Sequence, residues 1–437
     1  MNFAQRAGFF YLFALIFVGW GVAIGKYEVF PYTVLKGIQD FLVGDPAEEA
    51  DLFSKLKNDL DIAPERQLHK IVPNPNREFT ELRVDGLKAR RDSPRIFLGD
   101  AQAPGYRILF GAFDFDQHFW GALLLDDQGK LVHRWLLSTE ELPTNEAQDL
   151  LKNLYGVAVL PDGSVIFSMQ EKAGGIAKVD VCGNHLWALE GKYHHTVSLT
   201  DENSFWTFGG SQKAFDHHLH LVDVEDGKIL KTIDMKEVRL KNPNIHIFDL
   251  QVEKGVPDAV HGNDIEALTA AMLPAFPGFE KGDLLLSFRT TNLVFVLDPD
   301  SLKIKWWRVG PWDRQHDPDW NPDGTISVFS NNERGVGKYS NIISINPQTY
   351  EFQTLVDGSN YDFRSSFNGM HQITDRGSVL ISSGLQGRLF EVDRNGEVIF
   401  DFVNSYSWEH QRALRVSEAR YLERDFFSFE GFPTCEN

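Results

Sequence analysis

Four histidines and one arginine, far apart in the chain, are of types that can carry chemistry at a common point: His195, His261, His316, His371 and Arg289. Near neutral pH an imidazole serves as nucleophile, proton carrier or metal ligand. A guanidinium offers a rigid fork of donors matched to sulfate or phosphate. The histidines recur at one place in successive units. His195 lies eight residues before the turn residue Asn203, and His316 eight before Gly324. His371 lies six before Gly377, a difference of two that keeps the same side of a strand. Tyr155 holds the equivalent place eight before Gly163, and His261 opens the unit "VHGNDIEAL". Arg289 ends the apolar run of "GDLLLSFR", where Leu284, Leu285 and Leu286 must be buried. Imidazoles alone equally suit a metal ion, but an adjacent arginine repels a bound cation. The combination favours anion chemistry.

These residues need a scaffold that returns to one axis, and the turn pattern supplies it. "DDQG", "LPDGSVIFS", "LTDENSFWTF", "NPDGTISVF" and "TDRGSVLIS" each join a polar turn to a β-prone strand. Tight hairpins need residues that tolerate positive φ, hence the Asp, Gly and Asn. A second strand pair follows most of them, as in "NLVFVLDPDSLKIKWWRVG". Six such units fit between about Gly105 and Asn404. Fixed-period four-stranded units are the mark of a β-propeller. The expectation is an all-β, six-bladed β-propeller over 79–404, with the first strand of each unit lining a central channel. Strands around Phe79–Val84 take part in closure. The tail, 405–437, contains "EHQRALRVSEARYLER", which reads as helical, and is expected to cap the propeller.

An aromatic share of 13% suits sheets, and a net charge of −19 speaks against nucleic acid as a partner. The two cysteines, Cys182 and Cys435, form neither a disulfide framework nor a zinc site. They bridge if the tail folds back over the blade that carries Cys182; a buried free thiol is the commoner arrangement. Gly8 to Gly25 is an uncharged, mostly apolar run between Arg6 and Lys26. It reads as a transmembrane anchor or signal segment with residues 1–7 cytoplasmic and the remaining chain exported. Residues 26–78 then read as a helical linker, with Leu52, Leu56 and Leu60 at helical spacing.

The segments "YHHTVSLTDENSFWTFG", "VHGNDIEALTAAMLP…GDLLLSFR" and "GPWDRQHDPDWNPDGTISVFSNN" resemble those of bacterial arylsulfotransferases. That resemblance covers roughly Phe79 to Asn404. It implies sulfuryl transfer from a phenolic sulfate ester to a phenolic acceptor without nucleotide sulfate, cofactor or metal. By the same resemblance His316 is the nucleophile, forming a transient sulfohistidine. His261 and Arg289 bind the sulfuryl oxygens, and His195, or its neighbour His194, is the acid or base. Tyr155 and His371 are expected to line the channel, and Trp312 and Trp320 to stack on an aryl ring. His217, His218 and His220 are expected on a solvated surface. Beyond the small aromatic donor and acceptor, the expected partner is the membrane through the N-terminal helix; a homodimer is allowed. Two other classes stay open at this point: a binding or scaffold propeller without turnover, and a metallo-oxidoreductase with His195, His261, His316 and His371 around one metal.

Overall fold

The computed structural model describes residues 68–71, 74–100, 103–138, 142, 153–170, 175–210, 217–248, 260–332 and 339–435. All of them belong to the second of two units into which the chain divides, Glu65–Asn437. No helix among the described residues is long and apolar enough to cross a membrane. The anchor at 8–25 and the helical linker up to residue 67 lie outside the described residues.

The repeated turns build one device. In "LPDGS", Leu160 N–H donates to Ser164 O at 2.9 Å, Gly163 N–H donates to Leu160 O at 2.9 Å, and Gly163 has φ 78°. Asn321 to Thr325 and Thr374 to Ser378 repeat it at 2.9 Å each, with Gly324 and Gly377 at φ 79° and 77°. In the second unit Asn203 takes the left-handed position at φ 53°, as Asn tolerates better than most residues. Each turn reverses the chain into an antiparallel partner.

The result among the described residues is six antiparallel sheets, each led by one strand. We name these leading strands β1 (Asn153–Val159), β2 (Tyr193–Leu199), β3 (Gly262–Ala267), β4 (His316–Trp320), β5 (Met370–Ile373) and β6 (Val416–Leu422). They touch in a closed circle, β1 to β2 and onward through β6 back to β1. The remaining strands of each sheet run outward from this ring. A seventh, three-stranded sheet is formed by Leu68–Lys70, Arg412–Leu414 and Ser405–Ser407. One short helix, Met235–Lys241, is capped by Asp234, whose carboxylate accepts from Lys236 N–H.

Apolar cores fill the spaces between neighbouring sheets. Leu284 and Leu286 pack toward Phe208 and Leu219 of the sheet before, while Leu285 packs with Ile326 and Val328 of the sheet after. A strand buried on both faces reads as an unbroken apolar run, and "DLLLSF" is one.

The tail corrects the expectation. "RALRVSEARYL" forms strands rather than helix, and β6 supplies the leading strand of the sheet that continues through Tyr106–Ala112, Trp120–Leu125 and Leu131–Leu137. The C-terminal chain thus closes the ring instead of capping it. The N-terminal strands Arg95–Leu98 and Thr80–Glu81 extend the β5 sheet at its outer edge. Beyond β6 the tail crosses to the β1 sheet. On the way Phe432 stacks on His133 of the Leu131–Leu137 strand at 4.6 Å; on the β1 sheet Ser428 N–H donates to Pro161 O at 2.8 Å, and Cys435 is disulfide-bonded to Cys182 across 253 residues. The free-thiol arrangement is therefore overturned: the tail does fold back.

Candidate active site

The N-terminal ends of the ring strands are irregular, and the irregularity is what aims the side chains. Register shifts interrupt β1 between Leu154 and Val157, β2 between His194 and Ser198, β3 between Gly262 and Asp264, and β4 between His316 and Asp319. Such bulges let consecutive residues face one way. His195, His261 and Asp317 sit there with φ of 66°, 48° and 50°. Left-handed backbone costs about 1–3 kcal/mol at a non-glycine residue and collects where function requires it. Gly156 permits the close approach of β1 to β2, since a Cβ there would lie 2.2 Å from His195 O.

One pocket draws on all six ring strands or the residues just before them, with Tyr155, His195, Asn263, His316, Asn368 and Glu418 in its wall. Such a pocket lies on the axis of the ring. His195 is 5.0 Å from His261 and 6.3 Å from His316, ring centre to ring centre. Tyr155 stands 5.0 Å from His195 on its other side. Arg289 N–H donates to His261 O at 2.9 Å, which fixes the two residues opposite each other at the mouth of the third sheet.

Burial keeps the imidazoles of His194, His195 and His316 neutral. Burial pushes His316 down to about 3, and the nearby charge of Arg289 acts in the same sense. His195 is lowered by burial first, then by His261, His194, His316 and Arg289. His194 is lowered by burial and by His217. Hydrogen bonds also choose the tautomer of His316. The Asn331 side-chain NH2 donates to Ser365 O at 2.6 Å and Asn368 O at 2.7 Å, so its oxygen faces His316 Nδ1 at 2.6 Å. Nδ1 of the neutral ring therefore carries the proton, and Nε2 keeps the lone pair.

A second cavity continues along the same strands, two or three residues further on, and shares Thr196 and Asp264 with the first. It is acidic. Asp264, Glu266, Asp317 and Asp319 line it with Arg420. Burial raises Asp264 and Asp319, and takes Glu266 to about 8 and the adjacent Glu418 to about 7.

Four expected site residues thus meet: His195, His261, His316 and Arg289, with Tyr155 beside them. His194 stands behind His195, its Nδ1 2.9 Å from His195 Nδ1. His371 lines neither cavity and is buried behind the wall of the acidic one. Its Nδ1 lies 2.7 Å from Asp317 Oδ2 and its Nε2 2.8 Å from Ser327 Oγ. Among the described residues, the group whose ligand atoms converge closely enough for a metal is Asp317, Asp319 and His371, not the histidine trio. Trp312 and Trp320 are not in the pocket. Both are core residues between the third and fourth sheets: Trp312 Nε1–H donates to Asn292 O at 2.8 Å, and Trp320 packs on Phe276 at 4.6 Å. His217 is buried rather than solvated, 5.9 Å from His194. Two buried residues escaped the sequence reading, Asn331 and Arg415. Asn331 was legible in principle, since "NN" ends the strand that pairs with the His316 strand.

A family model described as arylsulfotransferase (ASST) matches residues 156–405. Among curated proteins no match is found. Solved structures are similar at low identity. A protein of unknown function from Bacteroides caccae shows 12% identity and a TM-score of 0.48, covering 73% of this chain and 99% of that one. TolB from Acinetobacter baumannii shows 12% identity and a TM-score of 0.45, covering 73% and 67%. A chain of a nidogen/laminin complex shows 9% identity and a TM-score of 0.44, covering 73% and 99%. The family match spans the strands that bring His195, His261, Arg289 and His316 together, and the chain belongs to the arylsulfotransferase (ASST) family.

Proposed function

We propose that this protein is a six-bladed β-propeller enzyme that moves a sulfuryl group from an aryl sulfate to a phenolic acceptor through sulfohistidine at His316. The observation that carries the reading is the meeting of three imidazoles, His195 and His316 held neutral by burial, and one guanidinium, drawn from three successive sheets, at one end of the ring channel. In the first half-reaction the Nε2 lone pair of His316 forms the N–S bond, and the S–O bond breaks with its electron pair leaving on the phenol oxygen. In the second, the acceptor oxygen forms the new S–O bond, and the N–S pair returns to His316. Splitting one displacement in two lowers each barrier. Arg289 and His261 meet the charge on the sulfuryl oxygens, a kind of preorganised stabilisation worth about 2.7–4 kcal/mol per donor in well-studied sites.

His195 passes the proton, giving it to the departing phenolate and recovering it from the acceptor hydroxyl. Burial and its cationic neighbour keep the free imidazole neutral. A bound aryl sulfate brings negative charge that acts in the opposite sense, so the proton is held when substrate is present. The propeller works outside the cytoplasm, held by the 8–25 segment. The Cys182–Cys435 bridge supports that placement, because disulfides persist in oxidising compartments.

The test is brief exposure to 4-nitrophenyl sulfate, an acid-free quench and peptide mass spectrometry. The expected result is one added sulfuryl group on the peptide containing His316, absent from His316→Ala. Nitrophenol release with unmodified His316 overturns the covalent route. No release from folded protein, with several acceptors tried, overturns the activity.

A further inference from the structure

Arg415 immediately precedes β6, at the place in the ring where β3 is preceded by His261. β6 is followed around the circle by β1, and the Arg415 guanidinium indeed lies 5.0 Å from the centre of the Tyr155 ring. It is 2% exposed. Nη1–H donates to Asn153 Oδ1 at 2.7 Å, whereas Nε and Nη2, both buried, have no hydrogen-bond partner among the described residues. Leaving charged donors unmatched in the interior costs more than a hydrogen bond returns.

The same edge is used elsewhere in this molecule. Arg90 directs Nε and Nη2 to the carboxylate of Asp114 at 2.8 and 2.7 Å. Arg107 directs them to Glu391 at 2.8 and 2.6 Å, and Arg388 to Asp401 at 2.8 Å each. Three arginines spend this edge on a planar carboxylate. We propose that Arg415 does so with substrate: it binds the carboxylate of a hydroxyaryl acid at the end of the ring remote from the transferred group, with half-buried Tyr155 as the side chain that swings aside to admit it. The proposal rests on the sulfuryl-transfer reading and narrows its substrates to phenols that carry an acid. Tyr155 touches both residues, its ring centre 5.0 Å from the Arg415 guanidinium and 5.0 Å from the His195 ring, so an aryl ring taking its place would reach from His195 to Arg415.

The test compares 4-hydroxyphenylacetate with its neutral amide, matched in size and in the hydroxyl group, as acceptors from 4-nitrophenyl sulfate. The wild-type kcat/KM should favour the acid about ten-fold or more, the effect of one charge-assisted pair. Arg415→Met should bring the ratio toward one, and Arg415→Lys, which keeps the charge but loses the fork, should retain part of it. A wild-type ratio near one, or a preference that survives in both variants, overturns the proposal. So does an equal loss with both acceptors, which would assign Arg415 to the sulfuryl group. If Arg415→Met does not fold, the wild-type ratio and the lysine variant decide. If neither acceptor is sulfated, the sulfuryl reading falls, and calorimetric binding of acid against amide still decides this one.

Discussion

His316 is nucleophilic only if the correct nitrogen is bare, and one neighbouring amide sees to that. Asn331 is itself locked, because its NH2 group reaches two backbone carbonyls and leaves its oxygen nowhere to turn but His316. Asn331→Ala should therefore lower kcat about ten- to a hundred-fold, the equivalent of 1–3 kcal/mol for a buried group deprived of its partner. KM should change little, because Asn331 is no part of the donor-binding group. Steady-state kinetics with 4-nitrophenyl sulfate, beside a melting curve, check this. A loss confined to KM, or none at all, would remove Asn331 from any role in orienting the ring. The types of His195, His261, His316 and Arg289 announced anion chemistry from the sequence because imidazole and guanidinium are scarce on apolar strands. Trp312 and Trp320 misled as aryl platforms: Trp312 precedes β4, and the bulge between His316 and Asp319 breaks the alternation that would have put Trp320 on the side of His316.

Hairpins were legible because a Gly or Asn at positive φ leaves a local mark, and each of the five turns carries one. The bulges were not, since "YHHTV" and "RQHDP" look like ordinary strand entries until pairing shows two residues too many in the first and one in the second. β6 was misread for a physical reason. Glu418, Ala419 and Arg420 favour helix locally, while the strand they form is imposed by pairing with Tyr106–Ala112 and by a channel that accepts polar side chains on one face. The path of the tail, and with it the disulfide, depends on that misread element. Because the bridge joins the closing segment to the β1 sheet, it should hold the ring shut. Cys435→Ser is expected to lower stability by about 2–4 kcal/mol, as loss of long-loop bridges commonly does. Calorimetry of oxidised wild type against the variant measures it. An unchanged melting temperature would mean that β6 pairing and the Phe427–Phe432 cluster suffice without the bridge.

Along its whole length the channel is electrically uneven, with neutral histidines and arginine at one end and crowded carboxylates beyond. The two regions meet at Glu418, which lines the histidine pocket. Burial, with help from Asp317 and against the pull of Arg420, raises its carboxyl from 4.5 to about 7. The sign of the consequence follows directly. Below pH 4.5 both folded and unfolded chains hold this proton, and no penalty arises. As pH climbs, the unfolded chain releases it while the fold does not, so stability drains away between about 4.5 and 7 and stays lost above. Glu266, held to about 8, adds to the same loss, whereas His316, held down to about 3, acts oppositely and costs stability only as pH falls below 6.5. Glu418→Gln removes one ionisable group from this balance without changing its shape. The difference in melting temperature, variant minus wild type, should grow in the variant's favour from pH 5 to pH 8. A constant difference would show that Glu418 ionises in the fold as it does in water, and that the ring channel takes its charge from solvent rather than from its own buried groups.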